Sequence, residues 1–254
     1  MSLRTELKKQ GDFLFRNRSY LPLLILIPGL YIYVMHEARV PDIMEKNNII
    51  YELACFGVCL LGFLVRIITI GFSAVSTSGR NTTAGQIAES LNTTGMYSFC
   101  RHPLYVGNFL IWLGIAAFTQ NFWFIVAFIL MFWVYYERIM YAEEEYLLNK
   151  FGNEYQSYSD QTPAVIPAFK NFKKPLLSFS FRKVIRQEKA GILNLFAVIL
   201  LLRITGEYFE SEAMHVELFW IVGFCVSLLL YAIIKILQKK IAIFSHDRSN
   251  LLIL

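Results

Sequence analysis

The sequence predicts an all-α protein that spans a membrane several times, and three observations support this fold class. The chain of 254 residues is 56% hydrophobic and 16% aromatic, and its mean hydropathy of +0.47 is high for a soluble domain. Several apolar runs approach the roughly 20 residues that a helix needs to cross the hydrocarbon layer. Because helices satisfy their own backbone hydrogen bonds in lipid, we expect one integral-membrane domain over residues 1–254 with about six membrane segments.

The first half of the chain contains two predicted spans. The first covers about Leu21 to Met35, and the second covers about Ile49 to Phe72 with Arg66 near its end. A polar segment follows, and its stretch "STSGRNTTAG" contains Arg80 and Asn81 among hydroxyl groups and glycines. This composition is typical of a turn, and it would also suit the binding of a phosphate oxygen.

The middle of the chain predicts a helical hairpin. Apolar residues run from Leu104 to Tyr136 and are interrupted only at Thr119 to Asn121, so each arm is shorter than the usual span of about 20 residues. The second arm continues without a break signal into a charged segment. Gly152 predicts the end of that helix, and the later Pro163 and Pro167 predict an extended strap.

Two further apolar runs, at about Gly191 to Leu202 and about Leu218 to Leu237, predict additional membrane helices within residues 190–240. Basic residues collect in the N-terminal stretch, in the segment after the hairpin and in the C-terminal tail. Such residues favour the cytoplasmic side of a membrane. We therefore expect both termini and the mouth of the hairpin to face the cytoplasm, in a bacterial inner membrane or the endoplasmic reticulum.

Two classes of partner are not expected. The modest excess of 24 Lys+Arg over 19 Asp+Glu is explained by cytoplasmic loops, so nucleic acid is not predicted as a partner. The four cysteines, Cys55, Cys59, Cys100 and Cys225, show neither the spacing of a zinc site nor a disulfide framework. We predict no metal, and we expect Cys55 and Cys59 to pack in the core.

A first motif, "CRHPLYVGNF", stands at the mouth of the hairpin. In its simplest interpretation, Arg101 reaches lipid phosphates and His102 caps a helix end. Tyr105 and Asn108 lie within about two helical turns of His102, which favours a polar binding site instead. Gly107 allows another backbone or a ligand to approach closely.

A second motif, "AEEEYLLNKFG", places Glu143, Glu144 and Glu145 on the helix that continues from the hairpin. Glutamates stabilise the N-terminus of a helix, and this is the simpler structural role. If the helix is continuous, however, no free N-terminus exists here. Three carboxylates at a membrane surface, close to Arg101 and Arg138, then indicate a polar pocket.

The two motifs together resemble a family of integral-membrane enzymes. "GMYSFCRHPLYVGNFL" followed by "AEEEYLLNKFGNEYQSYSDQTPAVIP" is similar to the isoprenylcysteine carboxyl methyltransferases and phospholipid methyltransferases, over about Asn92 to Pro167. This family binds S-adenosylmethionine between the hairpin and the following loop, so the resemblance implies a cofactor-binding and catalytic core at residues 92–167 and a cytoplasmic cofactor pocket. It implies a pocket lined by His102, Tyr105 and Gly107, paired glutamates Glu143 and Glu144, and a closing strap with Tyr155, Tyr158 and Pro163.

The charges of the implied cofactor extend this assignment. S-adenosylmethionine carries a carboxylate, an ammonium and a sulfonium, so it would use cationic, anionic and aromatic side chains. The predicted catalytic residues are Arg101, Arg138, Glu143 and Glu144. The predicted cofactor-binding residues are Tyr97, His102, Pro103, Tyr105, Gly107, Asn108, Glu144, Tyr155 and Tyr158. The predicted substrate-binding residues are Arg66, Arg80 and Asn81.

The sequence thus predicts methyl transfer from S-adenosylmethionine to an acidic oxygen, phosphate or carboxylate, of a membrane-embedded lipid or lipidated substrate at the cytoplasmic face. Arg138 or Arg203 are further candidates to hold the acidic group. Prenylcysteine carboxyl methylation and phospholipid amine N-methylation are alternatives, and an amine would need a glutamate as base. A similar motif occurs in NADPH-dependent membrane sterol reductases, which commonly have asparagine in place of Leu104. A non-catalytic membrane scaffold is the remaining class.

Overall fold

A computed structural model of the protein describes residues 2–18, 20–37, 49–74, 86, 88–210 and 216–240. All regular elements in these ranges are helical, which confirms the predicted fold class. The α-helices are α1 (Leu3–Asn17), α2 (Leu26–Glu37), α3 (Ile49–Phe72), α4 (Pro103–Ala117), α5 (Phe122–Phe151), α6 (Asn153–Gln161), α7 (Phe181–Glu210) and α8 (Leu218–Lys240). Short 3₁₀ turns lie at Leu21–Ile25, Gly95–Ser98 and Phe169–Asn171.

The boundaries of the hairpin follow from local sequence signals. Pro103 opens α4 at a position where its missing N–H is not needed. Asn121 caps α5 through its side-chain oxygen, which accepts the N–H of Phe124 at 2.9 Å. Gly152, with φ of 53°, ends α5 and precedes α6. The predicted break at Thr119 to Asn121 and the predicted stop are confirmed, and α5 runs unbroken through the three glutamates.

Among the described residues, four helices are long and apolar enough to cross a membrane, namely α3, α5, α7 and α8. The stretches Leu3–Asn17 and Leu21–His36 form a pair bent by 84° that would count as a fifth span. The first hairpin arm, α4, has only 15 residues. Together these helices are roughly consistent with the predicted number of about six membrane segments.

The helix α7 begins at Phe181, ten residues before the apolar run that starts near Gly191. It extends beyond the apolar run because charged residues in the first turns of α7 find partners inside the protein. The Lys183 ammonium donates to the carbonyl oxygens of Ser73 and Ala74 at 3.0 and 2.7 Å. A lysine in this position satisfies carbonyl groups that the end of α3 leaves free.

Contacts between helix ends place several of them on the same side of the bundle, which we call the site end. Arg4 at the start of α1 pairs with Glu145 near the end of α5, with 2.9 Å between Nη2 and Oε1. Lys189 near the start of α7 donates to Gln238 near the end of α8. The basic segments of the sequence adjoin these helix ends. The cytoplasmic orientation of the site end stays a prediction from charge.

The helices α3 and α4 pack with their backbones in close approach. A Cβ on Gly107 would lie 2.9 Å from the carbonyl oxygen of Gly62 and 2.5 Å from Cγ of Arg66. Gly107 thus serves the approach of another helix backbone, which is one of the two roles predicted for it. Cys55 and Cys59 are buried in the adjoining hydrophobic core, as predicted.

At the opposite end of the bundle, which we call the far end, Arg203 of α7 joins three other parts of the chain. Its Nη1 lies 2.9 Å from Oε1 of Glu52 and 3.4 Å from the Tyr33 hydroxyl. Its Nε donates to Oε2 of Glu217 at 3.0 Å. Arg203 is 4% exposed. The structure therefore does not place Arg203 at the mouth of the hairpin, where a role in holding the substrate was considered.

Candidate active site

The two sequence motifs meet through Glu144. Arg101 donates from Nε and Nη2 to the two carboxylate oxygens at 2.9 and 3.1 Å, across 43 positions of sequence. Nε2 of His102 lies 2.8 Å from Oε1 of the same glutamate. Burial opposes the charge of Arg101, but the Glu144 carboxylate holds the pKa of Arg101 above its ordinary value. The structure therefore brings both motifs into one cluster at the site end.

A strap of residues 162–168 closes over this cluster. Nη1 of Arg101 donates to the carbonyl oxygen of Thr162 at 2.6 Å. The backbone N–H groups of Arg101 and His102 donate to the carbonyl oxygens of Pro163 and Ala164 at 2.9 and 3.0 Å. The hydrogen bonds of the Arg101 guanidinium are thus made to other groups of the protein. Arg101 holds the strap and Glu144 in place, and is better described as a positioning residue than as a ligand contact.

Glu143 differs from its neighbours because, among the described residues, it has no lysine or arginine partner. The Tyr105 hydroxyl donates to its Oε2 at 2.8 Å, and Nδ1 of His102 lies 3.7 Å from the same oxygen. Glu144 and Glu145 are instead paired with arginines. The side chain of Glu143 is 29% exposed. It is the carboxylate of this cluster that is available to a cation or a hydroxyl of a ligand.

An aromatic stack leads from His102 into the bundle. The ring of Tyr105 lies 5.5 Å from the imidazole of His102 and 4.8 Å from the ring of Tyr136, measured between centroids. Tyr136 stacks in turn on Phe132 at 4.2 Å. Asn108 donates to the Tyr136 hydroxyl at 3.2 Å. The stack offers flat ring faces that attract cations and other rings.

Arg66, a predicted substrate-binding residue, is held by an acid that the sequence analysis missed. Its Nε and Nη2 donate to the Glu188 carboxylate of α7 at 3.0 and 2.6 Å. Its Nη1 donates to the side-chain oxygen of Asn108. Glu188 is 2% exposed. The sequence signal that could have found this pair was Glu188 itself, an acid within the basic stretch of α7. Arg66 therefore holds Asn108, and Asn108 in turn donates to the Tyr136 hydroxyl of the aromatic stack.

One other predicted residue, Arg138, is not brought to the cluster. Arg138 turns toward α1, where its Nε donates to the side-chain oxygen of Gln10 at 2.9 Å. Its Nη1 donates to the carbonyl oxygen of Val134 at 2.8 Å. Arg80 and Asn81 lie outside the described residues.

The tyrosines predicted to bind the cofactor beside the strap are largely buried. The Tyr158 hydroxyl donates to the carbonyl oxygen of Tyr97 at 2.7 Å, and Tyr155 is 3% exposed. Burial raises the pKa of Tyr97, Tyr155 and Tyr158 above the ordinary tyrosine value, so these side chains stay neutral. They hold α6 and the strap against the start of α4, next to the buried Pro103.

Sequence reasoning also missed the contribution of α1. A Cβ on Gly11 would lie 2.1 Å from the carbonyl oxygen of Arg138, so α1 and α5 are in close contact there. Phe15 is 4% exposed and belongs to a hydrophobic cluster with Tyr136. The guanidinium carbon of Arg18 lies 3.8 Å from the centre of the Phe15 ring. The sequence signal that could have found this contribution was the spacing of Gly11, Phe15 and Arg18. They lie four and three positions apart, which places them on one face of α1 and its C-cap.

Comparison with known proteins identifies the part of the chain that carries both motifs. The sequence model of the phospholipid methyltransferase family matches residues 53–154, from α3 to the start of α6. These residues, which we call the family-matched core, are similar to the phospholipid methyltransferase family. The family-matched core contains the Arg101–Glu144 pair, Glu143 and the aromatic stack, whereas α1, α2, the strap, α7 and α8 lie outside it.

Curated relatives of the family-matched core carry two kinds of name. The chain is 32% identical over 123 residues to protein-S-isoprenylcysteine O-methyltransferase of Schizosaccharomyces pombe, which covers 46% of this chain and 50% of the relative. The mouse protein of the same name is 31% identical over 124 residues, covering 49% and 42%. The nickel-cobalt-cadmium resistance protein NccN of Alcaligenes xylosoxydans is 35% identical over 111 residues, covering 43% and 49%.

The chain spans about half the length of the curated relatives it matches. No solved structure matches it. In the part of the chain that the structure describes, no group of three or more His, Cys, Asp or Glu side chains is placed to hold a metal ion.

Proposed function

We propose that this protein transfers a methyl group from S-adenosylmethionine to an acidic oxygen, phosphate or carboxylate, of a membrane-embedded lipid or lipidated acceptor at the cytoplasmic face. One observation carries the proposal. At the mouth of the hairpin, Glu143 lies beside the aromatic stack, and no lysine or arginine among the described residues pairs with it. The family of the core supports the same class of reaction.

The residues at the site end fit S-adenosylmethionine. Its ammonium group or ribose hydroxyls suit the Glu143 carboxylate, and its sulfonium suits the ring faces of Tyr105 and Tyr136. When bound, the donor supplies an electrophilic methyl group. Glu144 is occupied by Arg101 and His102, so it positions the cluster and leaves contact with the donor to Glu143.

In the transfer, the C–S bond of the donor would be replaced by a C–O bond to the acceptor, and the electron pair of the broken bond would stay on sulfur. An ionised phosphate or carboxylate loses no proton in this step, so no general base is needed. Catalysis then depends mainly on holding the two reacting groups in line.

An amine acceptor would have to lose a proton, and Glu143 would be the candidate base. Two of the relatives in the comparison are named as O-methyltransferases, which favours an oxygen acceptor over an amine.

The position of the site suits an acceptor with an apolar tail and a polar head. The short arm α4 begins at the cluster and leads into the apolar bundle. The basic segments of the chain adjoin the same end, and their charge supports a cytoplasmic location for it, where S-adenosylmethionine is available.

Ligand-dependent thermal unfolding of the full chain in detergent tests the choice of cofactor. S-adenosylhomocysteine is expected to raise the unfolding midpoint, because only a ligand of the folded state stabilises it, and NADPH is expected to have no effect. Stabilisation by NADPH alone would favour the reductase. A response to neither would favour a non-catalytic scaffold.

A labelling experiment tests the acceptor. Membranes that contain the protein are incubated with methyl-labelled S-adenosylmethionine, the lipids are extracted, and the label is located by mass spectrometry. The expected product is a methyl ester of a phosphate or carboxylate. A label on nitrogen would show that the acceptor is an amine.

A further inference from the structure

Arg18 lies at the end of α1, next to the aromatic stack. Its guanidinium carbon is 3.8 Å from the centre of the Phe15 ring, and Phe15 packs with Tyr136. Tyr105 and Tyr135 pack against the same cluster. The guanidinium therefore lies over a ring of the cluster that contains the stack.

Part of the Arg18 guanidinium has no partner. Its Nη2 is buried and makes no hydrogen bond within the described part of the chain. By contrast, Arg66, Arg101 and Arg203 are each paired with a carboxylate. A charged donor that is removed from water and left unpaired is unfavourable, and the face of the Phe15 ring compensates for this only in part. An unpaired guanidinium nitrogen in this position indicates an oxygen ligand.

A negative charge on Glu143 and a positive charge on Arg18 adjoin the stack, and this arrangement suits the reaction. The Tyr105 hydroxyl donates to Glu143 at 2.8 Å, and Tyr105 packs in the same cluster as Phe15, the ring beneath Arg18. A carboxylate and a cation thus adjoin one aromatic cluster, and no ion pair joins the two in the described residues. A positively charged donor at Glu143 and a negatively charged acceptor at Arg18 would be held side by side, as methyl transfer between them requires.

We propose that Arg18 binds the acidic head group of the methyl acceptor and selects lipids that carry a carboxylate or a phosphate over neutral ones. This inference rests on the proposed function. The planar guanidinium suits either anion, because its N–H groups match two oxygens at once. Arg66, which reaches Tyr136 through Asn108, is neutralised by Glu188, whereas Arg18 has no carboxylate partner among the described residues. Since α1 lies outside the family-matched core, acceptor selection would come from a part of the chain that the family model does not include.

Binding of matched lipid pairs to the full chain in neutral detergent tests this role. One pair is N-acetyl-S-farnesylcysteine and its methyl ester, and the other is phosphatidic acid and the diacylglycerol with the same acyl chains. Affinities are measured with S-adenosylhomocysteine present at saturation. The unmodified protein is expected to prefer the acidic member of at least one pair. The pair that shows the preference distinguishes a carboxylate from a phosphate.

Three variants separate the role of Arg18 from a general effect of charge. Arg18→Gln is expected to weaken binding of the preferred acid about 10- to 100-fold and to leave its neutral partner unchanged. Arg18→Lys keeps the charge without the planar fork and is expected to lie between Arg18→Gln and the unmodified protein. Arg16→Gln removes an exposed charge from the same helix and is expected to have no effect.

The affinity for S-adenosylhomocysteine separates failure of this inference from failure of the proposed function. If the unmodified protein does not bind S-adenosylhomocysteine, the proposed function is wrong. If it binds, but shows no preference for an acid or keeps that preference in Arg18→Gln, only the role of Arg18 is overturned. An equal loss of S-adenosylhomocysteine affinity in Arg18→Gln would assign Arg18 to the donor and also overturn it. Should Arg18→Gln not fold, Arg18→Lys decides, and an unchanged affinity for the acid would overturn the role.

Discussion

The far end and the site end of the bundle both bury charges, but they arrange them differently. At the far end, Arg203 is 4% exposed. The carboxylates around it are Glu52, Glu207 and Glu217. Beside the site end, Glu143 and Arg18 carry opposite charges next to one aromatic cluster and form no ion pair with each other in the described residues. Buried charges that are paired hold helices together, whereas charges left unpaired in a membrane protein mark a place where something binds.

The largest effect is expected from breaking the far-end cluster. Arg203→Met removes the cation and leaves carboxylates facing one another without compensation, which is expected to lower the free energy of unfolding by about 3–5 kcal/mol. Denaturant unfolding in detergent measures this loss. The folded fraction is expected to bind S-adenosylhomocysteine normally. A variant of unchanged stability that no longer binds this ligand would contradict a purely structural role for the far end.

The second prediction concerns Glu143. Glu143→Gln keeps an oxygen that accepts the Tyr105 hydrogen bond but removes the charge. We expect S-adenosylhomocysteine to bind about 10- to 100-fold more weakly, and the free energy of unfolding to stay within about 0.5 kcal/mol of the unmodified value. Calorimetry in detergent measures the affinity. Normal affinity would show that Glu143 does not bind the donor.

The third prediction concerns Glu144, which joins the two motifs. Glu144→Gln breaks the pair with Arg101 that also holds the strap, so the free energy of unfolding is expected to fall by about 1–3 kcal/mol. Hydrogen exchange in residues 162–168 should become faster. Glu145→Gln is the matched control in the same helical turn. Its partner Arg4 is 70% exposed, and this surface pair is expected to contribute less than about 1 kcal/mol. Equal effects of the two substitutions would contradict the positioning role of Glu144.

The smallest effect is expected from a chemical probe beside the strap. Burial raises the pKa of the Cys100 thiol from 9.0 to about 11, so its thiolate fraction at pH 8 is about 100-fold lower than that of a free thiol. We expect N-ethylmaleimide to modify Cys100 slowly, with a rate that rises with pH toward that value. The free thiol N-acetylcysteine in the same detergent solution is the reference, and mass spectrometry follows both. Faster modification of Cys100 in Glu144→Gln would report an opened strap, whereas a rate equal to that of the free thiol in the unmodified protein would contradict the burial.

The parts of the structure that adjacent residues determine could be predicted from the sequence. Asn121 caps the start of α5 and Gly152 caps its end. The hairpin joins the two motifs directly, so it brings them together. The remaining contacts depend on parts of the chain that no local pattern connects. Arg66 and Glu188 are 122 positions apart, and α1 reaches the aromatic stack only because the whole bundle is assembled. Arg18 therefore appeared in the sequence only as one of several basic residues before a span.

The ion pairs between α3 and α7 have a consequence for how the chain enters the membrane. On α3, Glu52 lies at the far end and Arg66 at the site end, while on α7 the order is reversed, with Glu188 at the site end and Arg203 at the far end. The charges on each helix are separated by about 21 Å. If α7 were inserted upside down, arginine would face arginine and glutamate would face glutamate within the lipid, which is strongly unfavourable. The two ion pairs therefore favour the antiparallel orientation of α3 and α7, because only in that orientation does each arginine meet a glutamate.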